Sequence, residues 1–134
     1  QINQIISMVR SFRPDVIVCE NNGFQNVFVD MLKRKGLGNI KPFTTTSNNK
    51  KNLRDGLPSL AALFEGYRIK TPYSHDRGTR ELVDIMFSEF NSIAFRGDKD
   101  SLESVGGHDD TVMSSFFAIT ELRSNSYVVK IDLI

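Results

Sequence analysis

Three acidic residues in this chain are of a type and placement that could hold a metal ion: Glu20, Asp109 and Asp110. Glu20 closes the run Asp15-Val16-Ile17-Val18-Cys19-Glu20, just before Asn21-Asn22-Gly23 turns the chain away. Four apolar residues without alternation read as a strand buried on both faces. In open α/β sheets, ligands gather just beyond the carboxyl ends of such strands. Asp109, Asp110 and Thr111 run into Val112–Ile119, a mostly apolar stretch with two small residues, Ser114 and Ser115, inside it. The two acids therefore fall in the first turn of a helix, where the helix dipole favours acids. Carboxylates drawn together from distant chain positions repel unless a cation or a proton intervenes. Mg²⁺ or Mn²⁺ suits such a site, because it takes carboxylate oxygens and keeps positions open for water and phosphate. A pair of such ions can activate a water and stabilise the leaving oxygen of a phosphodiester. His108, immediately before the acid pair, would position a water or a phosphate, or play an orienting or structural part. The plainer alternative for the same residues is an aspartate pair capping a helix and a loop glutamate.

The charge distribution bears on the substrate. The net charge of +1 is uninformative, but from Met31 to Arg54 there are seven basic residues and no acid. Six of them, Lys33, Arg34, Lys35, Lys50, Lys51 and Arg54, are candidates for DNA phosphates, which they would bind without reading sequence. From Asp98 to Asp110 five acids face one base, Lys99. A basic block and an acidic block in one small domain suit a metal-dependent enzyme on a phosphate backbone. The alternative is that both blocks are ordinary solvated surface.

Regular elements are needed to position these groups. Ile2, Ile5, Ile6, Val9 and Phe12 recur at helical spacing, predicting a helix over residues 2–13 that Pro14 stops. After the strand at 15–20, Phe24, Val27, Phe28, Met31 and Leu32 predict a helix to about Lys35, ended by Gly36. Residues 39–44 read as a second strand, and 45–52 as a stretch too polar for a core. Gly56-Leu57-Pro58 opens a short helix with Leu60, Ala61 and Phe64 on one face. Tyr67–Lys70 reads as a short strand, and His75-Asp76 as part of a polar loop or cap. A helix over 79–90 should turn Leu82, Ile85, Met86 and Phe90 inward. A brief strand at 91–96, an acidic loop at 97–107 and the helix after Asp110 follow. The alternating tail from Tyr127 to Leu133 suits an edge strand or an arm. The class is α/β.

Length and composition narrow the options. At 134 residues, 40% of them hydrophobic and 25% charged, the chain has one domain's worth of ordinary globular sequence. No run approaches the roughly 18 apolar residues of a membrane span, and no signal peptide opens the chain. The single cysteine, Cys19, excludes an internal disulfide and suits a small core position. A cytoplasmic protein, with no membrane partner, is expected. The chain starts at Gln1, directly in a helical pattern, so a piece of something longer is expected too.

Taken together, Val18-Cys19-Glu20-Asn21-Asn22-Gly23 and Gly107-His108-Asp109-Asp110-Thr111-Val112-Met113-Ser114 resemble the C-terminal nuclease domain of phage large terminase subunits. The stretches from Gly56 to Leu60, from Glu65 to Pro72 and Arg80-Glu81-Leu82 resemble that domain in order and spacing, so the likeness runs from about Ile2 to Ile119. The resemblance implies a ribonuclease H-like mixed sheet flanked by helices, and an Mg²⁺- or Mn²⁺-dependent endonuclease, with two metals in the complete domain. It would cut double-stranded DNA during packaging in the host cytoplasm, with portal and small terminase subunit as partners of the full-length protein. Glu20 matches the family's second acid and the Asp109-Asp110 pair its third, Asp110 being the preferred ligand and Asp109 an auxiliary ligand or cap. The family's first acid, on an earlier strand, has no counterpart, and no phosphate-loop motif of a packaging motor is present. The expectation is a partial nuclease domain, 1–134, lacking its N-terminal strands and as an isolated chain unable to cut. A Holliday-junction resolvase or transposase-like nuclease is the alternative within the class. A non-catalytic α/β module docking DNA or capsid proteins is the alternative outside it.

Overall fold

Among the described residues two short ladders, one parallel and one antiparallel, alternate along the chain with helices. The computed structural model describes residues 2–22, 25–74, 76–96 and 101–124. The chain divides into two compact units, Gln1–Thr45 and Thr46–Ile134. Mixed α/β architecture is as expected; the tail beyond Ser124 lies outside the described residues.

In the first unit, α1 (Ile2–Phe12) leads to β1 (Ile17–Glu20), α2 (Gln25–Arg34) and β2 (Ile40–Phe43). β1 and β2 are parallel, with Ile17 opposite Ile40 and Glu20 opposite Phe43, so α2 is the crossover of a β-α-β unit. Val29, Leu32 and Ile40 form the buried centre, and Ile2, Ile5, Ile17, Cys19, Phe28 and Leu37 pack against it. The expected apolar stripes of α1 and α2 serve this core only in part: Ile2, Ile5, Phe28 and Leu32 reach it, while Phe12, Val27 and Met31 are 79%, 63% and 46% exposed and Val29 is buried instead. α2 stops where Gly36 takes φ +91°. The Gly36 amide donates to Lys33 O at 2.9 Å and the Leu37 amide to Leu32 O at 3.2 Å, a Schellman closure that returns Leu37 to the core.

The second unit runs α3 (Ser47–Lys51), α4 (Leu57–Glu65), α5 (Arg77–Ser92), β3 (Ile93–Arg96), β4 (Ser101–Ser104) and α6 (Asp110–Ser124). β3 and β4 pair antiparallel, Ile93 opposite Ser104. Leu57, Leu60, Val83, Leu102, Val112, Met113, Phe116 and Phe117 are buried. The Phe64 ring of α4 meets Phe87 and Phe90 of α5 edge-on, at centroid distances of 6.4 and 4.9 Å.

Four expectations need correction. Tyr67–Lys70 is not a strand: the Tyr67 and Arg68 amides fold back on Phe64 O (3.0 Å) and Leu63 O (2.9 Å). Tyr67 sits at φ 55°, so these donors close α4 instead of entering a ladder. The polar stretch at 45–52 contains a helix, α3, whose N-cap Thr46 and Asn49 form a reciprocal capping box. The inward face of α5 is turned from the expected one: Val83 is buried while Leu82 and Ile85 are 69% and 52% exposed. Val83, Met86, Phe87 and Phe90 share the i, i+3, i+4, i+7 stripe, which the Phe64 ring selects. Within the acidic segment expected as loop, Ser101–Ser104 is a strand, β4.

Candidate metal and nucleic-acid site

Glu20 is the last residue of β1 and half-buried, and its Oε1 accepts the Asn22 Nδ2 at 2.8 Å. The Asn21 amide donates to Phe43 O at 2.8 Å and carries the parallel ladder one step past the strand. The Asn21 Oδ1 and the Thr45 Oγ1 are buried at this edge and have no hydrogen-bond partner among the described residues. The Cys19 thiol is pushed above its ordinary value of 9.0, first by burial and then by the Glu20 charge. It is a packing residue rather than a nucleophile.

The acid pair opens α6 in the second unit. Thr111, one residue into the helix, donates its amide (2.8 Å) and its hydroxyl (2.6 Å) to Oε2 of Glu89 on α5. These bonds hold the Glu89 carboxyl below its ordinary 4.5, the hydroxyl contributing most and the amide next. Burial opposes them and the His108 charge adds to them. The end of α6 is tied as well: Arg123 Nη1 donates to Ser59 Oγ at 2.6 Å and to Arg54 O at 3.1 Å. Among the described residues, the exposed Asp110 carboxylate has no hydrogen bond or ion pair. That of Asp109 has one, Lys50 Nζ at 3.6 Å from Oδ2. Neither aspartate side chain bonds an amide of the turn. The capping duty lies with Glu89.

Lys50 is aimed by its platform. The Thr46 capping box fixes one end of α3, and the Gly56 amide donates to Asn52 O at 2.7 Å beyond the other. A Cβ on Gly56 would lie 2.5 Å from the carbonyl oxygens of Asn52 and Lys50, so glycine is required there. His108 is exposed and lines a groove with Ile85, Ser88, Glu89, Ser92 and Gly106.

Of the expected residues, the structure brings Asp109, Asp110, His108 and Lys50 into one unit and places Glu20 in the other. Lys33 and Arg34 end α2 and Lys35 follows, all exposed, in the first unit. Lys50 and Lys51 end α3, half-buried, with exposed Arg54 after them, in the second. The basic block is thus divided between the units. Glu89 was not expected at the site, since helix periodicity carries no sign of a contact across 22 positions. α3 had a visible signal in Thr46-x-x-Asn49. Among the described residues, no group of three or more His, Cys, Asp or Glu side chains is gathered, and no helix is long and apolar enough to cross a membrane. Comparison with family models, with curated proteins and with solved structures finds no match.

Proposed function

We propose that this chain is part of a metal-dependent DNA endonuclease of the terminase type, with a ribonuclease H-like fold. One observation carries the reading: the Asp110 carboxylate stands exposed in the first turn of α6 with no partner among the described residues, while Glu89 accepts the Thr111 amide. The plain explanation of an acid pair, a side-chain cap on this turn, is not what either aspartate supplies: the Thr111 amide goes to Glu89. The donor chemistry in each unit fits Mg²⁺ or Mn²⁺: Asp109 and Asp110 in the second and Glu20 in the first offer hard carboxylate oxygens. When bound, the ion supplies charge neutralisation and activation of a water for phosphodiester cleavage. The chain's own residues then orient and hold: Asp110 and Glu20 offer free or lightly bonded oxygens, Lys50 neutralises Asp109, and the exposed Lys33, Arg34 and Lys35 grip phosphates.

The test is Mn²⁺ binding, read from the electron-spin resonance of free Mn²⁺, together with duplex DNA binding read from fluorescence anisotropy at several salt concentrations. Wild-type chain should bind both. Asp110→Asn and Glu20→Gln should each weaken Mn²⁺ binding by about tenfold or more and leave DNA binding unchanged. Replacing Lys33, Arg34 and Lys35 by Gln should flatten the salt dependence of DNA binding by a slope of about 3 and leave Mn²⁺ binding unchanged. DNA binding with no Mn²⁺ binding would instead identify a non-catalytic docking module, and Mn²⁺ binding indifferent to both acid substitutions would overturn the site.

A further inference from the structure

Helix α4 closes in a Schellman motif beyond its C-cap Gly66: the Tyr67 amide donates to Phe64 O and the Arg68 amide to Leu63 O. The left-handed position of the motif is Tyr67, at φ 55°. Glycine is the residue favoured there, because a side chain crowds its own backbone in that conformation. Here a tyrosine holds the position and is 85% exposed. A single exposed apolar side chain is ordinary on a protein surface. A large ring kept in water by a strained backbone is not, since it gives back no packing, and such outliers gather at functional sites.

Six residues on, Tyr73 is 61% exposed, and its hydroxyl donates to Asp84 Oδ1 at 3.4 Å. Arg80 precedes Asp84 by one helical turn of α5, so Tyr73 lies against the helix face that carries Arg80. From Gly66 to Asp84 there are four arginines and lysines, Arg68, Lys70, Arg77 and Arg80, and three acids. Each acid is engaged: Asp76 caps α5, Glu81 pairs with Arg77 at 2.7 Å, and Asp84 holds Tyr73. The exposed side chains of Arg68, Lys70 and Arg80 have no hydrogen bond or ion pair among the described residues. Two open rings and three uncommitted cations thus alternate along one stretch of the second unit.

We infer that this surface binds single-stranded nucleic acid, with Tyr67 and Tyr73 stacking on bases and Arg68, Lys70 and Arg80 holding phosphates. Bases in a duplex are stacked on one another, whereas unpaired bases offer a face to a protruding ring. Every base has such a face, so the contact reads no sequence. Six residues of extended chain span at most about 20 Å, so both rings fall within the roughly 4–16 nucleotides that a single-strand site covers. Neither Asp110 nor Glu20 takes part, and the surface is independent of the metal reading.

The chain has no tryptophan and three tyrosines, Tyr67, Tyr73 and Tyr127. In a Tyr127→Phe background its intrinsic fluorescence therefore comes from the two rings of the surface alone. Oligothymidylate, oligouridylate, a duplex and inorganic polyphosphate are titrated in parallel, with quenching reporting stacking and anisotropy of a labelled oligonucleotide reporting affinity. The single strands should quench the tyrosine emission, the tighter of the two naming the sugar, and the duplex and polyphosphate should not. Tyr67→Gly and Tyr73→Ala should each weaken single-strand binding about fivefold or more, the low end of what a stacked base contributes. Tyr67→Gly should have a thermal midpoint equal to or above wild type, because glycine relieves the left-handed strain. Tyr67→Phe and Tyr73→Phe should bind as wild type. Replacing Arg68, Lys70 and Arg80 by Gln should flatten the salt dependence by a slope of about 2.

Single-strand binding without quenching, or unchanged in both Tyr67→Gly and Tyr73→Ala, overturns the inference. Polyphosphate binding as tight as that of the single strands overturns it too, and identifies a plain cationic surface of the kind an acidic protein would use. Absence of single-strand binding also overturns it and leaves Mn²⁺ binding to be judged by itself. If Tyr73→Ala does not fold, Tyr67→Gly decides.

Discussion

At the start of α5 the Asp76 carboxylate accepts the Thr79 amide at 2.7 Å as the N-cap. Hydrogen bonds to the Thr79 amide first, then to its side chain, hold the Asp76 carboxyl below its ordinary 3.8. A carboxylate with a depressed folded-state pKa contributes stability that is present above its unfolded value and is lost as pH falls through the folded value. Asp76→Ala should therefore lower the urea midpoint at neutral pH, and the difference from wild type should shrink as pH drops below the ordinary carboxylate range. Asp76→Asn keeps a good cap, so it should retain most of the neutral-pH midpoint. Urea midpoints at a series of pH values check both; a difference that grows on acidification would refute the cap's part. The sequence showed this residue only as a loop or cap, because the Thr79 amide becomes a partner only once the helix forms.

Glu89 shows what a single element cannot do for itself. The first amides of any helix lack intrahelical acceptors, and α6 borrows one from α5 through the two bonds from Thr111. Glu89→Ala should destabilise the first turn of α6 by about 1 kcal/mol, the usual loss for a helix cap. Hydrogen exchange at the Thr111 amide should accelerate roughly fivefold as a result, with the Asp76-capped start of α5 unchanged. Unaltered Thr111 protection would mean that the turn is held by packing of Val112 and Met113 instead. A different neighbour, α4, explains the turned face of α5. Periodicity allows either Leu82 or Val83 to begin an apolar stripe, and only contact with Phe64 of α4 selects the one that is buried.

The two units rest on cores of different size. The first unit centres on Val29, Leu32 and Ile40 within 45 residues, near the lower limit at which a core sustains itself. The second has Leu60, Val112 and Phe116 almost wholly removed from solvent. Leu32→Ala, at a residue 1% exposed, should cost about 2–5 kcal/mol, and Phe116→Ala, at 2%, about 3–5 kcal/mol. Hydrogen exchange should locate the losses: in α1, β1, α2 and β2 for Leu32→Ala, and in α4, α5 and α6 for Phe116→Ala. Uniform loss of protection throughout the chain for Leu32→Ala would show that the two units unfold as one.

Local pattern alone determined most of the elements. The helical spacing from Ile2 to Phe12, the unbroken apolar run ending at Glu20, and the glycine after Lys35 each act through neighbours within a turn or a strand, so they are legible in order along the chain. The placement of Asp109 and Asp110 at a helix start was legible for the same reason. Tertiary structure decided what spacing cannot encode. It assigned the α6 cap to Glu89, 22 positions from Thr111, and brought Lys50 to Asp109 by way of α3. It turned Tyr67 and Arg68 back to close α4, and it left Asn21 Oδ1 and Thr45 Oγ1 buried without partners among the described residues. The Glu89 and Lys50 contacts depend on which groups meet across distant stretches of chain, the Tyr67 and Arg68 closure is local but needs a positive φ at Tyr67 that spacing does not announce, and whether a polar atom is satisfied is settled only when the surfaces around it close.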